Sequence, residues 1–579
     1  MSQNRDGEPS FDIRHIPFSM RGSWFNLSSV TGLHSHSDRI HLVTHKNGMH
    51  PILAFALQLD GAPVRVHHHA TPSTFSWITD PGELRVEATY DGPGTLRIRG
   101  AGVALHAADA AGELTPFAGS YLYVEPRDGS IVITSYESGQ RYRITTLSGT
   151  TDVGGAEALG AARRWLTFGA DGQPWEIVLQ ETTTAAAPFQ GAESFDEAAD
   201  ATAASFAAYL ESVAPWRSDA APGAALAAYV IWSATVEPAG FMTRESVLMS
   251  KHWMDKLWSW DHCFNALALA PGLPAAAIDQ FLAPFDHQDA TGALPDSITH
   301  SEVLYNYVKP PIHGWALRKL RRAAGHDALT ADTLQEIYRR LAAWTSFWLE
   351  ERRIPANPVP YYQHGNDSGW DNSTTFDLDR VVHSPDLAAF IVVQLDTLAD
   401  LADELGMPSD YWRSEGASIL AALISDLWSE DAFVARSVHD GRASSSTSLL
   451  NLLPLVAGER LPPAMRHSMA ARTAQHLTDH GLATEPVVSP HYEDDGYWRG
   501  PIWAPATALI EDGLRQCGYA DLADDVSARF RKTCERSGFA ENFDARTGEG
   551  LRDRAYTWTA AVYLMLSREA LGPAAEGAR

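Results

Sequence analysis

The sequence predicts two domains of different class, an antiparallel β-sandwich over residues 1–185 and an all-α domain over residues 223–579. In the first part, short and partly alternating apolar segments are separated by turn signals. In the second part, apolar residues recur at helical spacing instead. The intervening residues 186–222 are rich in alanine and acidic residues and predict a helical linker.

Seven short apolar segments predict the strands of the first domain. Turn sequences such as 91–94 (Asp-Gly-Pro-Gly) and 171–174 (Asp-Gly-Gln-Pro) separate neighbouring segments. Because no helical pattern intervenes, the spacing indicates a β-sandwich rather than a βαβ sheet. The predicted strands cover residues 40–43, 52–57, 95–99, 121–124, 131–134, 142–145 and 175–179.

Helical periodicity continues from residue 223 to the end of the chain. Within residues 332–350, Leu334, Leu341 and Trp348 belong to one apolar stripe. Ser384 followed by Pro385 is typical of a capped helix start and predicts a further helix. The other predicted helices cover residues 224–236, 258–269, 328–352, 410–428, 463–479, 502–517, 519–536 and 555–569.

This length of chain suffices for roughly a dozen helices of average length. Two arrangements are compatible with the pattern: an open solenoid, or a closed toroid of inner and outer helices. In a toroid, the loops at one end of the inner helices converge on a central pocket. The polar, aromatic-rich loops of this sequence favour the toroid.

The charge balance bears on the kind of partner. With 72 acidic and 45 basic residues the formal net charge is −27, which disfavours binding to nucleic acid or to an anionic membrane. A neutral small molecule fits better. The 18 tryptophans would fill the core for the most part, but indole faces in a polar cleft also stack on sugar rings.

The cysteines and the N-terminus indicate a cytoplasmic protein. Cys263, Cys517 and Cys534 have no metal-type spacing and do not predict a disulfide framework. Residues 1–10 lack the apolar core of a signal peptide, and no apolar run reaches the roughly 18 residues of a membrane span. We expect no cofactor and no metal ion, although some relatives of the toroidal fold bind calcium; homo-oligomer formation is left open.

Four stretches differ from ordinary helix sequence. In the first, Trp258, Trp260 and Asp261 can form a sugar-binding wall, because rings stack on C–H faces while the carboxylate accepts from adjacent hydroxyls; a helix cap with core tryptophans is the alternative. The second comprises residues 289–296 and 308–315, where the Pro310-Pro311 pair is expected to place Lys309 at the rim of a pocket. A purely structural turn explains either piece equally well.

The third stretch is the long polar loop 363–376, which contains Asp367 and Asp371. The fourth pairs residues 497–503 with residues 539–550, which contain Glu541. Glycoside hydrolysis needs a carboxylic acid to protonate the leaving oxygen and a second carboxylate as base or nucleophile. Asp371 and Glu541 are candidates for this pair, with Asp367 as the nearest rival. A separation of roughly 6.5–9.5 Å would leave room for water and predict inversion.

Five sequence blocks resemble, in the expected order, those of glycoside hydrolase family 63. That family includes processing α-glucosidases and bacterial mannosylglycerate and glucosylglycerate hydrolases, with trehalases and glycogen-debranching glucosidases as more distant relatives. The resemblance covers residues 235–570. The blocks are Trp258-Ser-Trp-Asp261, Ser368-Gly-Trp-Asp-Asn-Ser373, Tyr497-Trp-Arg-Gly-Pro-Ile-Trp503, Glu541-Asn-Phe-Asp544 and Tyr556-Thr-Trp-Thr-Ala560.

The resemblance implies an (α/α)6 barrel and an inverting exo-acting α-glycosidase, in particular an α-glucosidase that acts on a small α-glucoside or oligosaccharide. Asp371 would be the general acid and Glu541 the general base acting on water. Where the family pattern has glutamine before the proline pair, this chain has Lys309, which would meet a carboxylate-bearing or otherwise different aglycone. The substrate-binding residues that it implies are Trp258, Trp260, Asp261, Lys309, Trp370, Asn372, Trp498, Arg499 and Trp503.

Two other classes of function remain compatible with the sequence. Helical toroids also host sugar isomerases and epimerases, which use histidines as acid and base, and His252, His262, His364 and His383 are available for such a role. A non-catalytic carbohydrate-binding protein is the other alternative. In that case Asp371→Asn and Glu541→Gln would leave the biological activity intact.

Overall fold

A computed structural model describes residues 8–80, 82, 84–111, 118–156, 163–185, 189–325 and 328–571. The chain forms two compact units. The first comprises Met1–Glu211, Ala228–Lys256 and Thr299–Ser301, and the second Ser212–Ala227, Leu257–Ile298 and Glu302–Arg579. The domain limits expected at residues 185 and 222 stay a proposal, and residues 186–188 of the expected linker lie outside the described part.

The first unit contains two antiparallel sheets and a long helix, α1 (Phe195–Val213), which ends two residues beyond it. Each of the seven predicted strands lies within a strand of these sheets. The strands are β1 (Phe25–Gly32), β2 (Ser35–Thr44), β3 (His50–Leu59), β4 (Ala62–Pro63), β5 (Val66–Ala70), β6 (Phe75–Thr79), β7 (Arg85–Tyr90), β8 (Thr95–Gly100), β9 (Ala104–Asp109), β10 (Ser120–Val124), β11 (Ile131–Ser135), β12 (Arg141–Ser148), β13 (Thr151–Gly154), β14 (Trp165–Phe168) and β15 (Trp175–Thr182).

The two sheets form the predicted β-sandwich. One has the strand order β1-β2-β3-β9-β14-β13, with β4 paired to β3, and the other the order β10-β11-β12-β15-β8-β7-β6-β5. Aromatic rings join their inner faces: Phe25 of β1 stacks on Tyr90 of β7 at 5.5 Å between centroids, and Phe55 of β3 meets Trp77 of β6 at 5.9 Å. These large buried rings supply much of the apolar area that stabilises the sandwich.

The second unit is built from helices. It contains most of the predicted ones, including α5, the helix expected after the Pro310-Pro311 pair, together with α4, which was not predicted. Helix α2 (Ala224–Ala234) begins in the second unit and continues into the first from Ala228. The helices that follow are α3 (His262–Leu269), α4 (Pro274–Leu282), α5 (His313–Ala324), α6 (Ala331–Glu350), α7 (Pro385–Glu404), α8 (Asp410–Asp426), α9 (Pro463–His476), α10 (Ala504–Gln516), α11 (Ala520–Ser537) and α12 (Thr557–Leu571).

Six segments close into a ring. Helix α3 contacts α5, α5 contacts α7, and α7 contacts the 3-10 segment Leu449–Arg460; that segment contacts α10, α10 contacts α12, and α12 returns to α3. Helices α4, α6, α8, α9 and α11 pack outside this ring. The inner helix α7 buries most of its residues, as expected for a helix covered on all sides. The toroid, not the open solenoid, is confirmed, and the ring of inner and outer helices is the predicted (α/α)6 barrel.

Short two-residue strands occur in the connections. They are Thr235–Val236, Ser246–Val247, Leu257–Trp258, Ser297–Ile298, Val303–Leu304, Val382–His383, Trp428–Ser429, Ala432–Phe433, Arg436–Ser437, Leu477–Thr478, Gly481–Leu482, Asn542–Phe543 and Gly550–Leu551. One of them changes a prediction: Trp258 pairs with Ser297 in a short sheet, so α3 begins at His262 and not at residue 258. Among the described helices, none is long and apolar enough to cross a membrane.

Candidate active site

The loop that carries Asp371 packs closely against the indole ring of Trp260 at Gly369. A short 3-10 helix, Gly365–Ser368, precedes it and ends at Gly369 in the left-handed region, with φ of 73°. A Cβ atom at Gly369 would lie 2.6 Å from the indole ring of Trp260. Since any side chain there would have to displace that ring, glycine is required at this position.

Glu541 lies between α11 and α12 at the start of a tight hairpin. Its N–H donates to the carbonyl of Asp553 at 2.7 Å, and the indole of Trp558 donates to its carbonyl at 3.4 Å. The next residues, Asn542–Phe543, pair with Gly550–Leu551. The backbone therefore fixes Glu541, which is only 1% exposed.

The structure brings Asp371 and Glu541 into one electrostatic environment. Burial raises the pKa of Glu541 to about 8; the charges of Asp553 and Asp371 add to this effect, and the Arg552 guanidinium opposes it. Burial also raises the pKa of Asp371, while the Lys309 ammonium opposes the rise. Carboxyl groups with perturbed pKa values are often found together at functional sites.

This electrostatic environment predicts a pH-dependent stability. The folded protein holds a proton on Glu541 up to about pH 8, whereas the unfolded chain releases it near the ordinary value of 4.5. The folded state therefore binds more protons in this range, and the contribution of Glu541 to stability is lost as the pH rises. Glu541→Gln removes this loss. We expect the variant to be more stable than the parent by roughly 1–3 kcal/mol near about pH 8.5, and by much less near about pH 5.

Calorimetric unfolding of Glu541→Gln and the parent across this pH range measures the difference. A stability difference that does not change with pH would contradict the raised pKa of Glu541.

Lys309 does not lie at an exposed rim as expected; it is buried, with 6% of its surface exposed. Its ammonium forms an ion pair with Asp296 at 2.9 Å and donates to the Asn366 carbonyl at 2.9 Å. Burial lowers the pKa of Lys309, but the carboxylates of Asp371, Asp296 and Asp261 outweigh this and raise it overall. Lys309 is thus a fixed cation among three carboxyl groups.

Removing this cation should change the pH dependence of Asp371. Because the Lys309 charge lowers the pKa of Asp371, Lys309→Met raises that pKa and keeps the carboxyl group protonated to higher pH. We expect the falling limb of kcat/KM against pH to move to higher pH in the variant. Rates measured across the pH range with one glycoside test this, and a falling limb that stays in place or moves to lower pH would contradict it.

Asp261 is the third carboxyl group of the site. Burial raises its pKa to about 8, the Lys309 ammonium opposes this, and the charges of Asp296 and Asp371 add to it. Its Oδ2 atom is buried and accepts no hydrogen bond from any described residue. The same holds for Oε2 of Glu541, and the buried indole Nε1 of Trp498 donates to none of these residues. Such unpaired polar atoms are available for a polar ligand.

Four of the five tryptophans predicted to bind substrate form a cluster of indole rings. Trp498 lies between Trp370, at 4.5 Å between ring centroids, and Trp503, at 4.0 Å and nearly parallel. Trp260 lies 6.5 Å from Trp498. Because both faces of Trp498 are covered, this side chain offers its edge and its N–H rather than a face. Trp258 differs from these four buried residues in being partly exposed.

Asn372 and Arg499 connect two loops in the structure. The Asn372 side-chain amide donates to the Gly496 carbonyl at 3.0 Å and accepts from the backbone N–H of Trp498 at 3.0 Å. The Arg499 guanidinium donates to the Asn372 carbonyl at 2.6 Å and to Asp377 at 2.5 Å. Their polar groups are therefore used within the protein, so we assign to both a role in holding the loops instead of the expected contact with substrate.

Asp367, the rival candidate, has the contacts of a structural residue. Its carboxylate forms an ion pair with Arg352 at 2.9 Å and accepts from the N–H groups of Val308 at 3.2 Å and Gln363 at 2.9 Å. These bonds satisfy both oxygens inside the protein. The contrast with Asp371 favours Asp371 as the reacting group.

Several residues of this environment were not among the predicted site residues. Hydrogen bonding to Tyr497 lowers the pKa of Asp371, and Tyr556 interacts with the charges of Glu541 and Asp261. Arg552 lies over the Tyr497 ring at 4.9 Å. Both Tyr497 and Arg552 have positive φ angles, 63° and 60°, a strained backbone that is often found at functional sites. Tyr497 and Tyr556 are the first residues of two of the five sequence blocks. This position was the sequence feature that could have indicated both residues.

The acidic groups of the site are not arranged as metal ligands. Within the described ranges, no group of three or more histidine, cysteine or acidic side chains is placed to hold a metal ion. The three carboxyl groups around Lys309 instead have a cation of the protein itself as their counter-charge.

Comparison with known proteins identifies the family. The model of the mannosylglycerate hydrolase MGH1-like glycoside hydrolase domain matches residues 254–559, more than half of the chain. The chain belongs to this family. The resemblance to glycoside hydrolase family 63 is thereby confirmed, and the chain is a glycoside hydrolase by family.

Two curated relatives align with this chain over most of their length. The mannosylglycerate hydrolase of Rubrobacter radiotolerans is 23% identical over 397 residues, which are 53% of this chain and 89% of that protein. The glucosylglycerate hydrolase of Mycolicibacterium hassiacum is 23% identical over 440 residues, which are 59% of this chain and 96% of that protein.

Solved structures support the fold. The family 63 mannosylglycerate hydrolase of Thermus thermophilus, in complex with Tris, has a TM-score of 0.52 at 20% identity and covers 59% of this chain and 98% of its own. A bacterial glucoamylase in complex with acarbose has a TM-score of 0.61 at 11% identity and covers 98% of this chain and 95% of its own. At these identities the likeness concerns the fold alone.

Proposed function

We propose that this glycoside hydrolase is an inverting, exo-acting α-glycosidase, with Asp371 as general acid and Glu541 as general base. The observation that carries the proposal is a pair of carboxyl groups in one site, Glu541 buried and Asp371 partly exposed, with the charge of Asp371 acting on Glu541. In an inverting reaction, the acid protonates the leaving oxygen while the base removes a proton from the attacking water. The reacting form therefore carries a proton on Asp371 and none on Glu541. Because burial raises the pKa of Glu541 to about 8, this form is the minority below that pH, and we expect kcat/KM to rise with pH towards about 8.

Each neighbouring group has a proposed task in this reaction. Lys309 balances the carboxyl charges around Asp371, and Tyr497 hydrogen-bonds to Asp371. The Oδ2 atom of Asp261 and the indole N–H of Trp498, which form no hydrogen bond within the described protein, bind sugar hydroxyls. The partly exposed Trp258 supplies an apolar surface for the C–H face of the sugar.

We propose a small α-glucoside or oligosaccharide as the substrate class. The names of the relatives put glucosylglycerate and mannosylglycerate first among the compounds to test. A cytoplasmic location is part of the proposal, since Cys263, Cys517 and Cys534 are buried free thiols and free thiols suit a reducing compartment.

A substrate panel tests this proposal. The purified chain is incubated with α- and β-glucosides, α- and β-mannosides, glucosylglycerate and mannosylglycerate, and free hexose is measured. Release of hexose from α-linked compounds alone is the expected result. Hydrolysis of β-linked compounds alone, or of none, would contradict it, and conversion of a free sugar into its isomer would favour the isomerase alternative.

A further inference from the structure

The loop that carries Asp371, residues 371–376 and here called the acid loop, is tied to a second loop by hydroxyl groups. Ser373 donates to Ser448 at 2.9 Å. Thr374 Oγ1 lies 2.6 Å from Ser446 Oγ. The second loop lies directly before the inner segment Leu449–Arg460, so these bonds connect the acid loop to the barrel wall.

Glu485 is the buried centre of these hydroxyl contacts. It is 0% exposed, and its two carboxylate oxygens accept hydrogen bonds from different threonines, Oε1 from Thr374 and Oε2 from Thr447 at 2.7 Å. None of the ion pairs among the described residues includes Glu485. A buried acidic side chain is costly unless its oxygens are bonded, and here the bonds come from hydroxyl groups.

The carboxylate also sets the direction of the neighbouring hydrogen bonds. A threonine hydroxyl has one proton to donate, and that of Thr374 is given to Glu485. Ser446 must therefore be the donor in its contact with Thr374. By the same reasoning Ser489 donates to Thr447 at 3.2 Å. One acceptor thus orders four hydroxyl groups, which favours a single loop geometry over several.

The residue before Glu485 holds the segment of Tyr497. The Thr484 hydroxyl accepts from the Gly500 N–H at 2.9 Å and donates to the Pro501 carbonyl at 3.0 Å. Tyr497 lies in the same short segment and hydrogen-bonds to Asp371. Thr484 and Glu485 therefore connect the acid loop with the segment that contacts its aspartate.

We propose that Glu485 is a positioning residue for the general acid. It holds the acid loop so that Asp371 faces the leaving oxygen, and it acts through Thr374 without touching the substrate. The inference rests on the proposed function, because it needs Asp371 to be the proton donor. A misplacement of about 1 Å can cost about 100-fold in rate, so the anchoring of this loop has a measurable consequence.

Two substrates separate positioning of the acid from general damage. One is the best α-glycoside of the panel, whose leaving oxygen needs a proton. The other is the α-glycosyl fluoride of the same sugar, whose fluoride leaves without help from the acid. Thr374→Val and Glu485→Gln are expected to lower kcat on the glycoside about 10- to 100-fold, with only a small change on the fluoride.

Two further variants serve as controls. Thr374→Ser keeps the hydroxyl and is expected to retain the parental rates. Thr473→Val removes an equally buried hydroxyl, which bonds to the Met469 carbonyl within α9 at 2.9 Å, and is expected to change neither rate. Thermal unfolding is used to check that each variant is folded. If Glu485→Gln does not fold, the test rests on Thr374→Val, which removes only one hydroxyl group.

Equal losses on both substrates, or no loss on either, would overturn the inference. Retained glycoside turnover in Thr374→Val would do so as well. Failure of the proposed function is a different observation, because the parent would then hydrolyse neither substrate or Asp371→Asn would retain full activity on the glycoside.

Discussion

Glu541→Gln is expected to lower kcat about 10²- to 10⁴-fold on α-glycosides and on the matching glycosyl fluoride alike. Both reactions need a water molecule that loses its proton to a base, and a glutamine amide cannot take that proton. The loss should therefore be independent of the leaving group. Initial rates at saturating substrate, measured for both compounds with parent and variant, give the comparison.

Glu511→Gln is the matched control for this substitution. Glu511 is also buried, and burial raises its pKa to about 7 against the opposing effect of Arg515, but it lies in helix α10 away from the acid loop. We expect both rates of this variant to stay near the parental values. Parental kcat in Glu541→Gln, or a loss confined to the glycoside, would contradict the role of Glu541 as base.

Asp371→Asn is expected to produce a loss that depends on the leaving group. Turnover of glycosides with poor leaving groups falls about 10²- to 10⁴-fold because the proton donor is gone, whereas the fluoride is still hydrolysed. The falling limb of kcat/KM against pH disappears, because the carboxyl group of Asp371 is no longer present.

Asp367→Asn distinguishes the two aspartates. It leaves Arg352 without its carboxylate partner, and removing one member of a buried ion pair is strongly destabilising. Its main effect should be a lower thermal midpoint and similar losses on both substrates, while Asp371→Asn keeps the parental midpoint or exceeds it. The reverse pattern would make Asp367 the acid.

The parts of the fold that were predictable depend on local pattern. Alternating segments such as residues 52–57 became strand β3, and the stripe at residues 332–350 became helix α6. Helix α4 was missed, since the alanines of Pro274–Leu282 leave few large apolar residues to mark its buried face. Which helices close the ring depends on contacts far apart in sequence.

The candidate site shows the same limit. The motif blocks singled out Asp371 and Glu541, but the surroundings of each side chain follow from the fold. Nothing in the sequence near Lys309 predicts that its ammonium is buried beside Asp296. Nor does the segment around Trp498 reveal that indoles cover both faces of its ring. The motif blocks point to polar and aromatic residues, whereas the partners of these residues follow only from the structure.

Proton NMR of the first sugar released tests the central claim most directly. In an inverting reaction, water assisted by Glu541 attacks from the face opposite the bond that Asp371 protonates. We predict that an α-glycoside first yields the β-anomer of the free hexose, followed by slow mutarotation to the equilibrium mixture. First release of the α-anomer would show retention and contradict the assignment of Glu541 as a base that acts on water.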